Sequence, residues 1–150
     1  MSSKLLNSLL FDEKTFYQKF ISDLENCKDE VIIESPYITS ERMKTFDRVF
    51  KKLLERKVKI YIITRDPKEH YEGMEVQSEA EIRKFESIGI QALLCIGNHH
   101  RKLAILDRKI LWEGSLNILS QTYSREIMRR IEETEIALQM FHFLKLSNFL

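Results

Sequence analysis

One short stretch of the sequence combines side chains that could bind and attack a phosphate group. His100 and Lys102 stand two residues apart, and Ser115 and Asn117 follow at the same spacing. Alternate residues of an extended strand share one face, so each pair is expected to point one way. A hairpin that turns near Asp107 would bring the two pairs together. The resulting imidazole, ammonium, hydroxyl and carboxamide could bind an anion and attack it.

Hydrophobic patterning predicts strands and helices on both sides of this stretch. Phe16, Phe20 and Leu24 recur at helical spacing, and Gly89 is typical of a helix end. The patterns predict helices at about residues 12–27, 41–57, 77–89 and 123–133, and strands at 31–37, 58–65, 90–96, 101–107, 109–115 and 134–140. Ser40 is expected to cap the second helix, residues 65–76 to form a loop, and residues 141–150 to close the chain as a helix or packed tail.

These elements predict an α/β fold in which a central mixed β-sheet carries helices on both faces. Alternating strands and helices favour parallel βαβ units, and the hairpin at residues 101–115 adds antiparallel strands. The strand at 58–65 is apolar on both sides, which indicates a sheet that is covered on both faces. With only four Gly and two Pro residues there is little room for a linker, so residues 1–150 are interpreted as one domain.

Composition restricts the classes of protein to which the chain can belong. Its formal net charge is +1, so no global positive field attracts nucleic acid. No apolar run approaches the roughly 20 residues that cross a bilayer. Cys27 and Cys95 lack the spacing of a disulfide framework or a zinc site. We therefore expect a cytoplasmic protein with reduced thiols, no membrane contact, no metal and no cofactor.

The hairpin motif resembles the signature of the phospholipase D superfamily, H-x-K-x4-D-x6-G-S-x-N. Every fixed position is matched, by His100, Lys102, Asp107, Gly114, Ser115 and Asn117. At average residue frequencies, chance produces such a match in about one chain of this length in several hundred thousand. The order of strands and helices is also similar to that family, and so is the early strand that ends before Pro36.

The resemblance implies a metal-independent phosphodiesterase in which two copies of the motif share one active site. His100 of one copy would attack phosphorus and form a phosphohistidine. His100 of the other copy would protonate the leaving oxygen and later activate water. Lys102 and Asn117 would hold the non-bridging oxygens, with Ser115 assisting them. Asp107 and Gly114 would serve the structure of the motif.

A nucleophilic histidine also needs an acceptor for its second ring nitrogen, which fixes the proton on that side. The family pattern supplies a carboxylate on the strand that follows the motif. Glu132, Glu133 and Glu135 are the candidates beside the predicted strand at 134–140. We favour Glu135, because it leads directly into that apolar strand.

A chain with one motif would complete the site as a homodimer, and the short members that it resembles include nucleases of this kind. We therefore predict a DNA nuclease, an endonuclease, with RNA as the less favoured substrate. Four residues are candidates for substrate contacts: Tyr37, near the end of the first predicted strand, and Arg125, Arg129 and Arg130, which would contact phosphates if the predicted helix at 123–133 flanks the cleft.

Other functions stay open at the level of the sequence. The chain could be a phosphodiesterase that acts on phospholipids, although lipid-cleaving members are typically far longer. It could also be a nucleic-acid-binding module without turnover, or a domain of a larger helicase or restriction system that relies on a partner for targeting. Salt-dependent binding of DNA without cleavage would indicate the binding module.

Overall fold

A mixed β-sheet of seven strands forms the centre of the structure, a computed structural model that describes residues 7–121 and 123–150. The strands are β1 (Ser8–Asp12), β2 (Glu30–Glu34), β3 (Lys59–Arg65), β4 (Gln91–Cys95), β5 (Leu103–Leu106), β6 (Ile110–Gly114) and β7 (Ile127–Glu132). The helices are α1 (Phe16–Glu25), α2 (Ser40–Glu55), α3 (Glu72–Ile88) and α4 (Thr134–Phe143). Short 3₁₀ turns lie at Pro67–Glu69 and Leu146–Asn148.

The strands lie in the order β1-β7-β6-β5-β2-β3-β4. β2, β3 and β4 run parallel, because α2 and α3 each return the chain to the same end of the sheet. The remaining neighbours pair antiparallel, from β2–β5 outwards to the edge strand β1. The tight turn between β5 and β6 needs positive φ at two positions, and both Asp107 and Arg108 adopt a φ of 53°. The predicted mixed sheet is confirmed.

The larger hydrophobic core lies between the sheet and the first three helices. Phe16 and Phe20 of α1 pack edge-on against Trp112 of β6, with ring centroids 5.0 and 5.9 Å away. Phe46 of α2 packs against Phe20 and stacks on Phe50, so the aromatic rings form a continuous layer. All five rings are buried, which confirms the amphipathic spacing of the first two predicted helices.

The opposite face of the sheet is covered by α4 and the residues that follow it. Ile32, Ile105 and Leu111 project from this face, and they form a second buried cluster with Ala137 and Phe141 of α4. Helices therefore lie on both faces of the mixed sheet, and the predicted α/β architecture is confirmed.

The two elements after the motif are exchanged relative to their prediction. The helix predicted at 123–133 is wrong, because Ile127–Glu132 forms strand β7. The strand predicted at 134–140 is also wrong, because Thr134–Phe143 forms helix α4. Met128 and Arg130 are buried at the alternate spacing of a strand, whereas Ala137 and Phe141 are buried one helical turn apart.

Three smaller features of the fold also differ from the prediction. Strand β1, at the sheet edge, was not predicted. Thr39, rather than Ser40, caps α2, because its hydroxyl oxygen accepts a hydrogen bond from the N–H of Arg42 at 3.3 Å. Helix α3 begins at Glu72, so the loop predicted at 65–76 is shorter and contains a 3₁₀ turn.

Candidate active site

The β5–β6 hairpin carries the motif, and the polar residues of the motif other than Asp107 lie near its open end. Leu103 pairs with Glu113, and the N–H of Gly114 donates to the carbonyl oxygen of Lys102 at 3.4 Å. Lys102 therefore lies opposite Gly114, with Ser115 next to it. The antiparallel pairing brings the two halves of the motif to one end of the hairpin, as the sequence predicts.

Asp107 lies at the other end of the hairpin and has a structural role. Its carboxylate accepts hydrogen bonds from the N–H groups of Lys28, Asp29 and Glu30, at 2.9, 2.8 and 2.9 Å. These three bonds fasten the β5–β6 turn to the start of β2. The motif aspartate therefore orders the hairpin from the end opposite Lys102.

Gly114 and Ser115 fasten the hairpin to β7. A Cβ atom at position 114 would overlap the carbonyl oxygen of Ile127 and the Cα atom of Met128, so a side chain has no room there. Ser115 makes three hydrogen bonds to Ile127. Its N–H and its hydroxyl donate to the carbonyl oxygen at 2.9 and 3.4 Å, and its Oγ accepts from the N–H at 3.0 Å. The close approach of β6 to β7 explains the glycine of the motif.

The chain that follows Ser115 passes through the core. Leu116, Ile118 and Leu119 are buried, and the N–H of Leu119 donates to Ser35 Oγ at 3.1 Å. Asn117 lies between these anchors, with its Oδ1 buried and without a hydrogen-bond partner within the described residues. The backbone of Asn117 is therefore held in place, and its amide oxygen retains an unused acceptor.

His100 and Lys102 lie in the extended segment before β5, which begins at Leu103 rather than at residue 101. His100 is exposed, and its ring meets the ring of Tyr37 edge-on with centroids 5.9 Å apart. Lys102 Nζ donates to the carbonyl oxygen of His100 at 2.8 Å. Tyr37 thus lies beside the candidate nucleophile. The neighbouring His99 is turned inwards, with Nε2 3.1 Å from Glu34 Oε1.

The surroundings of Lys102 lower its pKa below the ordinary lysine value. Burial is the main cause, because it disfavours the charged ammonium, and the negative charge of Glu126 acts in the opposite direction. An ammonium that is partly removed from water interacts more strongly with an anion than a fully solvated one does. Lys102 is therefore suited to binding a phosphate oxygen.

The carboxylate expected on the strand after the motif is not Glu135. Glu135 lies in the first turn of α4, and Glu133 is the N-cap residue of that helix. Glu132, at the far end of β7, forms an ion pair with Arg130 at 3.0 Å. The prediction of Glu135 depended on a strand at 134–140, and that strand does not exist.

Glu126 is a carboxylate near the motif that was not among the predicted candidates. It directly precedes β7, which is the strand that does follow the motif, and its charge acts on Lys102. Glu126 Oε2 is buried and makes no hydrogen bond to the described residues, while its N–H donates to Glu13 Oε1 at 2.8 Å. The same rule that favoured Glu135 would have found Glu126 if residues 127–132 had been predicted as a strand.

A groove of about 730 Å³ runs beside the motif and is mainly basic. Lys102 and Ser115 line it together with Arg101, Arg125 and Arg129, and one carboxylate, Glu113, also lines it. Arg101 is not among the predicted contacts. The groove therefore meets the motif at Lys102, Gly114 and Ser115, whereas His100 and Asn117 do not line it.

Arg130 does not belong to this groove, which contradicts its predicted contact with phosphate. It faces the core, with 7% of its surface exposed, and its guanidinium donates to both carboxylate oxygens of Asp23 at 2.7 and 2.9 Å. Asp23 also accepts a hydrogen bond from Trp112 Nε1 at 2.8 Å. Arg129, the next residue back along β7, projects to the groove instead.

Comparison with known families decides the family of this chain. The sequence profile of the family described as "Cardiolipin synthase, PLD-like domain" matches residues 20–145. The chain belongs to the phospholipase D superfamily. This superfamily is one of phosphodiesterases and nucleases, and the resemblance seen in the hairpin motif is confirmed. No curated protein matches the chain.

Solved structures share the phospholipase D fold with this chain. Nuc from Salmonella typhimurium, a phospholipase D family member, has a TM-score of 0.75 at 15% identity, over 92% of this chain and 91% of its own. NucT from Helicobacter pylori has a TM-score of 0.68 at 20% identity, over 92% of both chains. Polyphosphate kinase from Porphyromonas gingivalis has a TM-score of 0.73 at 11% identity, over 97% of this chain and 26% of its own. At these identities the likeness shows the fold.

Two further properties concern the described residues as a whole. No group of three or more His, Cys, Asp or Glu side chains within residues 7–121 and 123–150 is arranged to hold a metal ion. None of the helices in this part of the chain is long and apolar enough to cross a membrane.

Both cysteines are free thiols, and burial raises the pKa of Cys27 to about 12.

Proposed function

We propose that this phospholipase D superfamily member is a metal-independent nuclease that cleaves DNA, with RNA as the less favoured substrate. The observation that carries the proposal is the continuity between the motif and the basic groove. Lys102 and Ser115 line the same groove as Arg101, Arg125 and Arg129. A phosphodiester bound at the motif therefore lies where flanking phosphates can meet arginines.

The proposed reaction consists of two displacements at phosphorus. An imidazole nitrogen of His100 forms a bond to phosphorus as the bond to the leaving oxygen breaks, and His100 of a second copy donates a proton to that oxygen. The second imidazole then takes a proton from water, the water oxygen bonds to phosphorus, and the phosphorus–nitrogen bond breaks. Both histidines return to their starting states, and one difficult displacement is replaced by two easier ones.

Lys102, Asn117 and Ser115 stabilise the charge that develops on the non-bridging oxygens. The ammonium of Lys102 is partly desolvated, and the backbone of Asn117 is fixed by the buried chain around it. Ser115 assists by holding the wall of the groove in place, because its hydroxyl is bonded to the backbone of Ile127. Donors that are held in place before the reaction lower the barrier, because they need no reorganisation as charge develops.

We assign Glu126, rather than Glu135, to the site, as the carboxylate whose charge favours the charged form of Lys102. It is the carboxylate that leads into the strand after the motif, and its Oε2 has no competing hydrogen bond from the described residues. Its charge already acts on Lys102, two residues from His100. Glu126 therefore keeps the ammonium of Lys102 charged for binding a phosphate oxygen.

A second copy of the chain supplies the second histidine. The sequence contains the motif once, and the mechanism requires two imidazoles on opposite sides of the phosphorus atom. A two-fold axis presents the same surface of both protomers to one point, so an isologous homodimer meets this requirement with a single kind of chain.

The choice of DNA depends on local rather than overall charge. The net charge of the chain is only +1, so binding must come from a concentrated patch, and the groove has three arginines beside the motif. Arginines at such a groove contact phosphates and position the strand without selecting its sequence. Two structures of similar extent that share the fold are named Nuc and NucT, which favours the nuclease over the phospholipid enzyme.

The decisive experiment measures DNA cleavage in excess EDTA. Wild-type protein, His100→Ala and the control His142→Ala are incubated with single- and double-stranded DNA; His142 is an exposed histidine of α4. Cleavage by the wild type and the control, and none by His100→Ala, is the expected result. Full activity of His100→Ala contradicts the proposal.

The alternatives give other results in the same experiment. Binding of DNA without cleavage, weakened by salt, would indicate a binding or targeting module that works with a helicase or restriction partner. If the DNA is neither bound nor cut, hydrolysis of phospholipid vesicles tests the lipid-cleaving alternative.

A further inference from the structure

The segment that leads to His100 has an irregular backbone that is held by one carboxylate. Gly97 and Asn98 both adopt the left-handed conformation, with φ of 101° and 59°. Their N–H groups donate to Glu69, at 2.9 Å to Oε2 and 3.3 Å to Oε1. Successive N–H groups that converge in this way form a concave anion site, and here the anion is a side chain of the protein itself.

Arg65 holds both that carboxylate and the loop. Its Nε lies 3.3 Å from Glu69 Oε1, and its Nη2 donates to Asn98 Oδ1 at 2.8 Å. The side chains of Arg65 and Glu69 are 14% and 24% exposed, so both are largely shielded from water. We call the bonded set of Arg65, Glu69, Gly97 and Asn98 the loop clamp.

The loop clamp also reaches His100 by a second route. Arg65 Nη1 donates to the hydroxyl oxygen of Tyr37 at 3.3 Å. The ring of Tyr37 meets the ring of His100 at 85°, with centroids 5.9 Å apart. One guanidinium therefore fixes the backbone that leads to His100 and the aromatic ring that contacts its imidazole.

We propose that Arg65 and Glu69 are positioning residues for His100, acting through the backbone at Gly97 and Asn98 and through the ring of Tyr37. The proposal rests on the proposed function of His100 as the nucleophile. An attacking nitrogen must approach phosphorus within a narrow range of distance and direction, and small displacements cost large factors in rate. The loop before His100 has no strand pairing, so the loop clamp supplies the order that a β-strand would otherwise give.

Both charged side chains of the loop clamp stay ionised at neutral pH, so the clamp persists under the conditions of the reaction. The N–H of Gly97 is the main cause that lowers the pKa of Glu69, so the carboxylate stays ionised at neutral pH. Arginine keeps its charge at all relevant pH values, and its planar fork of donors fixes several partners in one geometry. Lysine at position 65 would keep the positive charge, but it lacks the planar set of donors that holds several partners in one geometry.

The test uses three variants, Glu69→Gln, Arg65→Lys and Tyr37→Phe. The matched controls are Glu30→Gln and Arg108→Lys, because Arg108 holds Glu30 through two hydrogen bonds of 2.9 and 3.0 Å at the far end of the hairpin. Steady-state cleavage gives kcat and KM, and NMR of the His100 imidazole reports its position and its titration without any substrate. Urea unfolding identifies any variant that has lost its fold.

We expect Arg65→Lys and Glu69→Gln to lower kcat by a factor on the order of 10 to 100 with KM changed little, because a misplaced group reduces the chemical step. Tyr37→Phe keeps the ring and loses only the hydroxyl, so its decrease should be smaller. The His100 resonances should move in all three variants and stay at the wild-type position in both controls.

Wild-type kcat in folded Arg65→Lys and Glu69→Gln, together with unchanged His100 resonances, would overturn the proposal. The same resonance shifts in the two controls would also overturn it, because the effect would then be general. If the wild type cleaves no phosphodiester, the proposed function fails, and the NMR comparison still decides whether the loop clamp positions His100. If Arg65→Lys does not fold, Tyr37→Phe and Glu69→Gln carry the test.

Discussion

The ammonium of Lys102 donates a hydrogen bond to the backbone carbonyl oxygen of His100 at 2.8 Å. The ammonium of Lys102 is therefore held beside the backbone of His100 before any substrate binds. A phosphate oxygen that enters the groove can take the place of this carbonyl oxygen, so that Lys102 changes partner without moving far. The relationship explains why the lysine stands two residues after the histidine.

Replacing Lys102 should remove most of the activity while leaving the fold intact. We expect Lys102→Met to lower kcat by a factor on the order of 10² to 10³, since one preorganised donor to the developing charge is lost. Lys109→Met, a change of an exposed lysine in the β5–β6 turn, should leave kcat unchanged. Single-turnover DNA cleavage measures both variants. Equal rates for the two variants would exclude Lys102 from the chemical step.

The alkaline limb of the pH profile should report the ammonium of Lys102. Burial lowers the pKa of this group below 10.5, so activity that needs the charged form is lost as pH rises through the lowered value. Glu126 opposes that shift, and Glu126→Gln should therefore move the alkaline limb to lower pH. The midpoint of the limb in a kcat/KM profile is the readout, because the variant also lowers the overall rate. Movement to higher pH would contradict the placement of Glu126 beside Lys102.

A shared site makes the inactive variant dominant in mixed dimers. When wild-type protein exchanges subunits with an excess of His100→Ala, each heterodimer retains one imidazole and cannot complete both steps. Activity per wild-type chain should therefore fall as the variant is added, and the solution mass should be that of a dimer. Activity that stays constant under subunit exchange would show that each chain works alone.

The motif and the parallel part of the sheet could be predicted because their signals are local. His100, Lys102, Ser115 and Asn117 flank the open end of one hairpin, so a single turn brings the two pairs to the same end of the sheet. Gly89 ends helix α3 with a φ of 102°, and a glycine at that place is visible in the sequence. Nothing distant along the chain was needed to infer either feature.

The elements after the motif could not be predicted in the same way. A buried arginine breaks the polar–apolar alternation of β7, and its partner Asp23 lies far away in the sequence. The short, largely apolar sequence of α4 suits a buried strand as well as a helix, because periodicity alone does not separate the two. Once β7 was missed, the carboxylate that precedes it, Glu126, was missed with it.

Asp107 should contribute to stability and not to chemistry. Asp107→Ala removes three hydrogen bonds to the N–H groups of residues 28–30, and we expect the free energy of unfolding to fall by about 1–3 kcal/mol. Urea unfolding followed by the fluorescence of Trp112, the single tryptophan, measures the loss. The folded variant should cleave DNA at the wild-type rate. A folded variant with no activity would place Asp107 in the site.

Two consecutive arginines of β7 should have opposite roles. Arg129 lines the groove, so Arg129→Ala should weaken DNA binding and reduce the slope of log affinity against log salt by about 1, with stability unchanged. Arg130 is the buried partner of Asp23, so Arg130→Ala should lower the free energy of unfolding by about 3–5 kcal/mol, because a buried carboxylate loses its counter-charge. Salt titrations of DNA binding and urea unfolding of both variants separate the two effects. A change in salt slope for folded Arg130→Ala and none for Arg129→Ala would show that the groove does not bind the DNA backbone.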